Sequence, residues 1–215
     1  MKHIILIHAL FMKSFSMKSL GNKVEKIDSN INTHYFGYQS TKYSENVLSN
    51  LDKFIKSLNI AEDDEIILIG HSMGGLIGRL FLHYYKPTNV KCLITMGTPH
   101  QGSALGKFLS KTPFKFILGS SGQSGITEEI PSWNNSYPLY CIASSLNHKL
   151  LLNVFNLNND DLSNDGTVFV HEAILENSTK NIIVQNIAHM QLLFSDVVFN
   201  EIKEIILTWF IFTNL

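Results

Sequence analysis

Short, unbroken aliphatic runs recur along this chain, and between them apolar residues return every third or fourth position. Runs of this kind are too short for helices and have no polar face, so they predict strands covered on both sides at 3–7, 66–69, 90–96, 139–143 and 181–185. A shorter mixed run at 32–36 reads as a further strand. Helical spacing covers 15–27, and from Ser44 it sets Val47, Leu48, Leu51, Phe54, Ile55 and Leu58 on one face. It returns from Leu76 through Ile77, Leu80 and Phe81 towards Lys86-Pro87, and again at 196–212. Strands alternating with helices predict an α/β fold with a six-stranded, mostly parallel sheet and helices on both faces. Between 104 and 138 the pattern is irregular, with a short helix expected at 104–110. A connection of that length inside a compact domain is expected to act as a lid or substrate-binding insertion.

Composition narrows the picture. The 215 residues are 45% hydrophobic, enough for one domain spanning 1–215 with a core of its own. The net charge is −1 and no basic cluster stands out, which argues against a nucleic-acid partner and for a small or neutral one. Cys92 and Cys141 lie inside strand runs and are expected to be buried free thiols, as suits a reducing compartment. The apolar run at 1–12 is interrupted by His3 and His8 and lacks a small-residue cleavage site, so it reads as a first strand and the expected location is cytoplasmic. The apolar run at 205–212 falls far short of the ~20 residues that span a bilayer. It reads as the end of a buried helix, not a transmembrane segment, with transient membrane-surface contact as the second option.

The candidate chemistry centres on Gly70-His71-Ser72-Met73-Gly74. It sits between an aliphatic run and a helical pattern, so Ser72 tops a very tight strand-to-helix turn, with the Met73 amide at a helix N-terminus ready to hold an oxyanion. The rival reading is a Gly-rich turn that merely packs or binds an anion. A serine nucleophile needs a base that reaches it from the carboxyl edge of the sheet. His189 directly follows a strand, and so does His100, the rival. The acid that orients the base is Asp165 in Asn164-Asp165-Gly166, a tripeptide that alone reads as a surface turn, with Asp160 and Asp161 as fallbacks. Leu10, after the first strand, is the candidate for the second oxyanion amide. Phe11 and His71, beside the same two loops, are the expected substrate contacts.

Taken together, these pieces resemble the α/β-hydrolases, close to small bacterial lipases and esterases with a Gly-Thr-Pro-His-x-Gly loop. The matching stretches are the strand into His8, Tyr38 to Ser44, Gly70 to Gly75, Gly97 to Ser103, Asp165 to Val168, and His189. The resemblance implies Ser72 as nucleophile, Asp165 as acid, His189 as base and Leu10 as oxyanion donor. Ala9 stands where that family usually has glycine, and the chain starts at what would be the third strand of the full fold. The expected activity is hydrolysis of a carboxylic ester of acyl or lipid type through an acyl-enzyme. An acyltransferase or thioesterase with the same triad, and a non-catalytic binding protein on this fold, are the alternatives. Leu10, Phe11 and Met73, with Phe108, Phe114, Phe116 and Trp133 of the insertion, favour an acyl chain, although core packing explains those aromatics equally well. No cofactor and no metal is required, though Asp160 and Asp161 leave room for a structural cation. Acyl length, head group and oligomeric state leave no mark in the pattern.

Overall fold

The computed structural model describes residues 1–40, 46–110, 130–134, 136–146 and 163–211. The expected helix start at Ser44, the Asp160 and Asp161 fallbacks, Phe114, Phe116 and the final residue of the 196–212 helix fall outside these residues, as does the side chain of Phe108.

Six strands form one sheet: β1 (Lys2–Ile7), β2 (Ile31–Phe36), β3 (Glu65–His71), β4 (Val90–Met96), β5 (Leu139–Ser145) and β6 (Lys180–Gln185). Their spatial order is β2-β1-β3-β4-β5-β6, and every pairing is parallel, where the sequence pattern led us to expect a mostly parallel sheet. The chain moves outward from β1 to β2, then returns to lay β3 on the other side of β1 and continues from there. A crevice therefore opens at the carboxyl ends of β1 and β3, where open α/β sheets carry their sites.

Alternation along the central strands builds two apolar layers. Ile4, Leu6, Ile67 and Ile69 face one side, where α1 (Lys18–Glu25) adds Leu20 and Val24 and α6 (Asp196–Ile211) adds Val198, Ile202 and Ile206. Ile5, Ile7, Ile66 and Leu68 face the other, covered by Val47 and Leu51 of α2 (Asn46–Ser57) and Ile77 and Phe81 of α3 (Met73–Tyr85). Trp133 belongs to this second layer, where it is core. Cys92 and Cys141 are buried free thiols in opposite layers.

The helix expected at 15–27 is divided into a 3-10 turn, Ser14–Met17, and α1. The Ser16 amide donates to the Lys13 carbonyl at 3.0 Å and its hydroxyl to the same oxygen at 2.7 Å, which tightens the first turn to three residues. Among the described residues the remaining helices are short: α4 (Ala104–Ser110), at the start of the irregular stretch, α5 (Val170–Ala173), and a 3-10 turn at His189–Leu193.

Candidate active site

Ser72 joins β3 to α3 with φ 52° and ψ −120°, a conformation that L-residues adopt only where their surroundings hold them. Here its amide donates to the Met96 carbonyl at 2.8 Å, and its own carbonyl accepts from the Thr98 hydroxyl at 2.9 Å and the Gly75 amide at 3.0 Å. The turn is also too close to its neighbours for side chains. A Cβ on Gly74 would overlap the Ile7 carbonyl oxygen, and one on Gly70 would overlap the Gly75 backbone.

The loop after β1 faces this turn. His8 is fully buried, and burial holds its imidazole below the usual pKa, so it is neutral. Its Nδ1 lies 2.9 Å from the Ala9 carbonyl, while Nε2 receives the Tyr38 amide at 3.3 Å, an arrangement that places the ring proton on Nδ1. The Tyr38 hydroxyl donates to the His8 carbonyl at 2.7 Å and the two rings stack at 4.2 Å. Beyond them a tight turn links the Met12 amide to the Ala9 carbonyl, and Phe11 sits at φ 60° with its amide on the Ser40 hydroxyl at 3.0 Å. The left-handed position thus falls on Phe11, and alanine at position 9 needs no unusual backbone. Among the described residues the Leu10 and Met73 amides donate to nothing, so both N–H groups remain available at the crevice.

Asp165 lies in a turn closed by the Asn164–Phe169 bridge, with Gly166 at φ 93°. Its Oδ1 accepts the Thr167 and Val168 amides at 2.9 and 2.8 Å. Its Oδ2 accepts His189 Nδ1–H at 2.6 Å, and its carbonyl accepts the His189 amide at 2.8 Å. His189 is therefore held twice by one residue, once through its ring and once through its backbone amide. Gly97, after β4, makes room for it: a Cβ there would stand 2.9 Å from the His189 ring.

A cavity of about 230 Å³ unites these parts. It is lined by Ala9, Leu10 and Phe11 from the first loop, Ser72, Met73 and Leu76 from the elbow, Leu105 and Gly106 from α4, and Thr167, Val168, His189 and Met190 from the late loops. Ser72 and His189 share its wall, and among the described residues no hydrogen bond yet joins their side chains.

His71, expected to touch substrate, does not line this cavity. It is fully buried behind His189, donating from Nε2 to the His189 carbonyl at 3.1 Å with ring centroids 4.8 Å apart. Burial, then the neighbouring imidazole, push its pKa down to about 3, and its Nδ1 has no partner. His100, the rival base, is likewise buried away from the cavity, 2.9 Å from the Thr95 hydroxyl and pushed to about 3 by burial.

Two buried charges escaped the sequence pattern. The Arg79 guanidinium in α3 donates to the His100 carbonyl at 3.0 Å and the Pro131 carbonyl at 2.5 Å, fixing the loop after β4 against 130–134. Glu172 accepts the Ala104 amide at 2.6 Å and the Phe169 amide at 3.0 Å, coupling the start of α4 to the segment that carries Asp165. Burial raises its pKa. Among the described residues no group of three or more His, Cys, Asp or Glu is placed to hold a metal ion.

The model of the PGAP1-like alpha/beta domain family matches residues 4–197. A GPI inositol-deacylase from Coccidioides immitis is 45% identical over 47 residues, 21% of this chain and 4% of that protein. A lysosomal thioesterase PPT2 homolog from Drosophila melanogaster is 22% identical over 134 residues, 57% of this chain and 46% of its own. The matched stretches thus span less than half of either relative's length. Among solved structures, the mature form of the Bacillus licheniformis lipase BlEst2 superposes with a TM-score of 0.68, covering 94% of this chain and 90% of its own at 18% identity. At that identity the likeness establishes the fold alone, a minimal α/β-hydrolase.

Proposed function

This chain belongs to the PGAP1-like alpha/beta domain family, and from that premise we propose that it is a serine hydrolase cleaving carboxylic esters of acyl or lipid type through an acyl-enzyme. The observation that carries the reading is the buried Asp165–His189 pair, 2.6 Å apart, whose imidazole lines the apolar cavity that Ser72 and Met73 also line. In the proposed cycle His189 Nε2 takes the Ser72 proton as Oγ attacks the ester carbonyl. Asp165 holds the tautomer that leaves Nε2 free and stabilises the imidazolium. The Leu10 and Met73 amides receive the negative charge on the carbonyl oxygen. Collapse breaks the C–O bond, His189 returns the proton to the departing alcohol, and a water activated by the same imidazole then releases the acid.

A thioester is the second reading. The name of the Drosophila relative, a thioesterase homolog, favours it. Both relatives are named for enzymes that release an acyl group, and the same acyl-enzyme route serves a thioester, with the C–S bond broken in place of C–O and a thiol leaving in place of the alcohol.

The test is a series of nitrophenyl esters and acyl thioesters of graded chain length, with wild type and Ser72→Ala compared, and labelling of Ser72 by a fluorophosphonate read by mass spectrometry. Turnover that falls by about 10³-fold or more in the variant, with one label on Ser72, is expected. An inert and unlabelled wild type would overturn the proposal.

A further inference from the structure

The rim of the cavity carries more exposed apolar surface than its lining needs. Phe11 and Met190 border the mouth from opposite loops, and four residues beyond each lie Phe15, on the 3-10 turn, and Phe194. With Val197 in the first turn of α6, these five are between 47% and 65% exposed. The helix that follows Phe15 is tied to the second segment: the Lys23 ammonium of α1 donates to the Phe194 carbonyl at 3.1 Å and to Asp196 at 2.7 Å. Isolated exposed apolar residues need no explanation, but a set that starts at the mouth of an apolar cavity, with Phe11 and Met190, and continues along the segments that follow them marks an interaction face.

Charge says what the face meets. The chain as a whole is at −1, yet residues 11–26, which supply Phe11, Phe15 and α1, hold Lys13, Lys18, Lys23 and Lys26 against the single acid Glu25. Below Phe194, between α1 and α6, a groove of about 230 Å³ is lined by Lys23, Lys26 and Lys203 over Ile27 and Phe199. Lys23 is paired with Asp196, whereas Lys13, Lys18, Lys26 and Lys203 carry no ion pair among the described residues. Aromatic and aliphatic tips flanked by long ammonium side chains suit the boundary between acyl chains and anionic headgroups. No described helix is long and apolar enough to cross a membrane, so the contact would be peripheral.

We propose that this face docks the chain onto an anionic lipid surface, with Phe15, Phe194 and Val197 entering the headgroup boundary, the lysines paired to lipid phosphates, and the cavity mouth opening towards the layer. The inference rests on the ester-hydrolase reading for its meaning, since that makes a lipid layer the source of substrate. Its readout, vesicle binding, does not depend on turnover.

Ser72→Ala protein is floated with vesicles of phosphatidylcholine alone and of phosphatidylcholine with about one third phosphatidylglycerol. Preferential binding to the anionic vesicles is expected, weakening as salt rises. Lys18→Glu with Lys26→Glu lowers that binding by on the order of tenfold or more. Phe15→Ser with Phe194→Ser lowers it on both vesicle types. Both double variants keep the wild-type melting temperature and, in the Ser72 background, wild-type turnover of a short water-soluble ester, which separates lost docking from lost folding. Absence of vesicle binding, equal binding to both compositions, or self-association abolished by the phenylalanine changes would overturn the proposal, the last by giving the face to a second copy of the chain.

Discussion

Asp165 carries more hydrogen bonds than any other group at the site: two backbone amides on Oδ1, the imidazole on Oδ2, and the His189 amide on its carbonyl. Asp165→Asn keeps the shape and the backbone contacts but no longer selects the Nδ1–H tautomer. Turnover of a soluble ester is expected to drop by about 10²- to 10⁴-fold with little change in melting temperature. An unchanged rate would remove Asp165 from the mechanism. The aspartate could be found in the chain because Asn-Asp-Gly is a turn whose chemistry is local, and His189 because it directly follows a strand. For His71 the sequence misleads. Adjacency to Ser72 suggested a substrate contact, but successive side chains on a strand point to opposite faces, and its partner, the His189 carbonyl, is 118 residues away. Arg79 and Glu172 were invisible for the same reason, since their partners lie up to 68 residues distant and no spacing rule reaches across such gaps.

Among the elements, β3 and α3 are joined so closely that backbone touches backbone. Gly74→Ala places a methyl group against the Ile7 carbonyl of β1, which cannot move without breaking the central pairing. We expect a loss of several kcal/mol of stability, seen as a melting temperature lowered by about 10 °C or as insoluble protein. A variant with native melting temperature and activity would contradict the described geometry. The strands and the elbow were legible because apolar runs and flanking glycines are strong local signals. Where the sequence pattern was imperfect, at 15–27, the cause is equally local: the Lys13–Ser16 bonds favour a three-residue turn that apolar spacing does not register.

For the whole molecule, the buried histidines tie stability to pH. His8, His71 and His100 are all lowered from their ordinary pKa, the last two to about 3, mainly by burial. Above about pH 6.5 they are neutral in both folded and unfolded chains. Below it the unfolded chain takes up protons that the native fold refuses, so the stability present at higher pH is lost as pH falls towards 3. Glu172, raised by burial, acts in the opposite sense nearer the carboxylate range. The melting temperature is therefore expected to fall between pH 7.5 and pH 5, and to fall less in His71→Phe, which retains a ring against His189. A flat or rising profile over that window would argue against the buried neutral state. The base itself hangs from β6, an edge strand whose outward residues include half-exposed Ile183. A polypeptide made from its amino end acquires the turn at Ser72 well before the imidazole of His189. On the proposed mechanism, a growing or half-folded chain thus holds only an ordinary alcohol, and hydrolysis begins when β6 zips onto β5, so that the onset of turnover during refolding times the closure of that pairing.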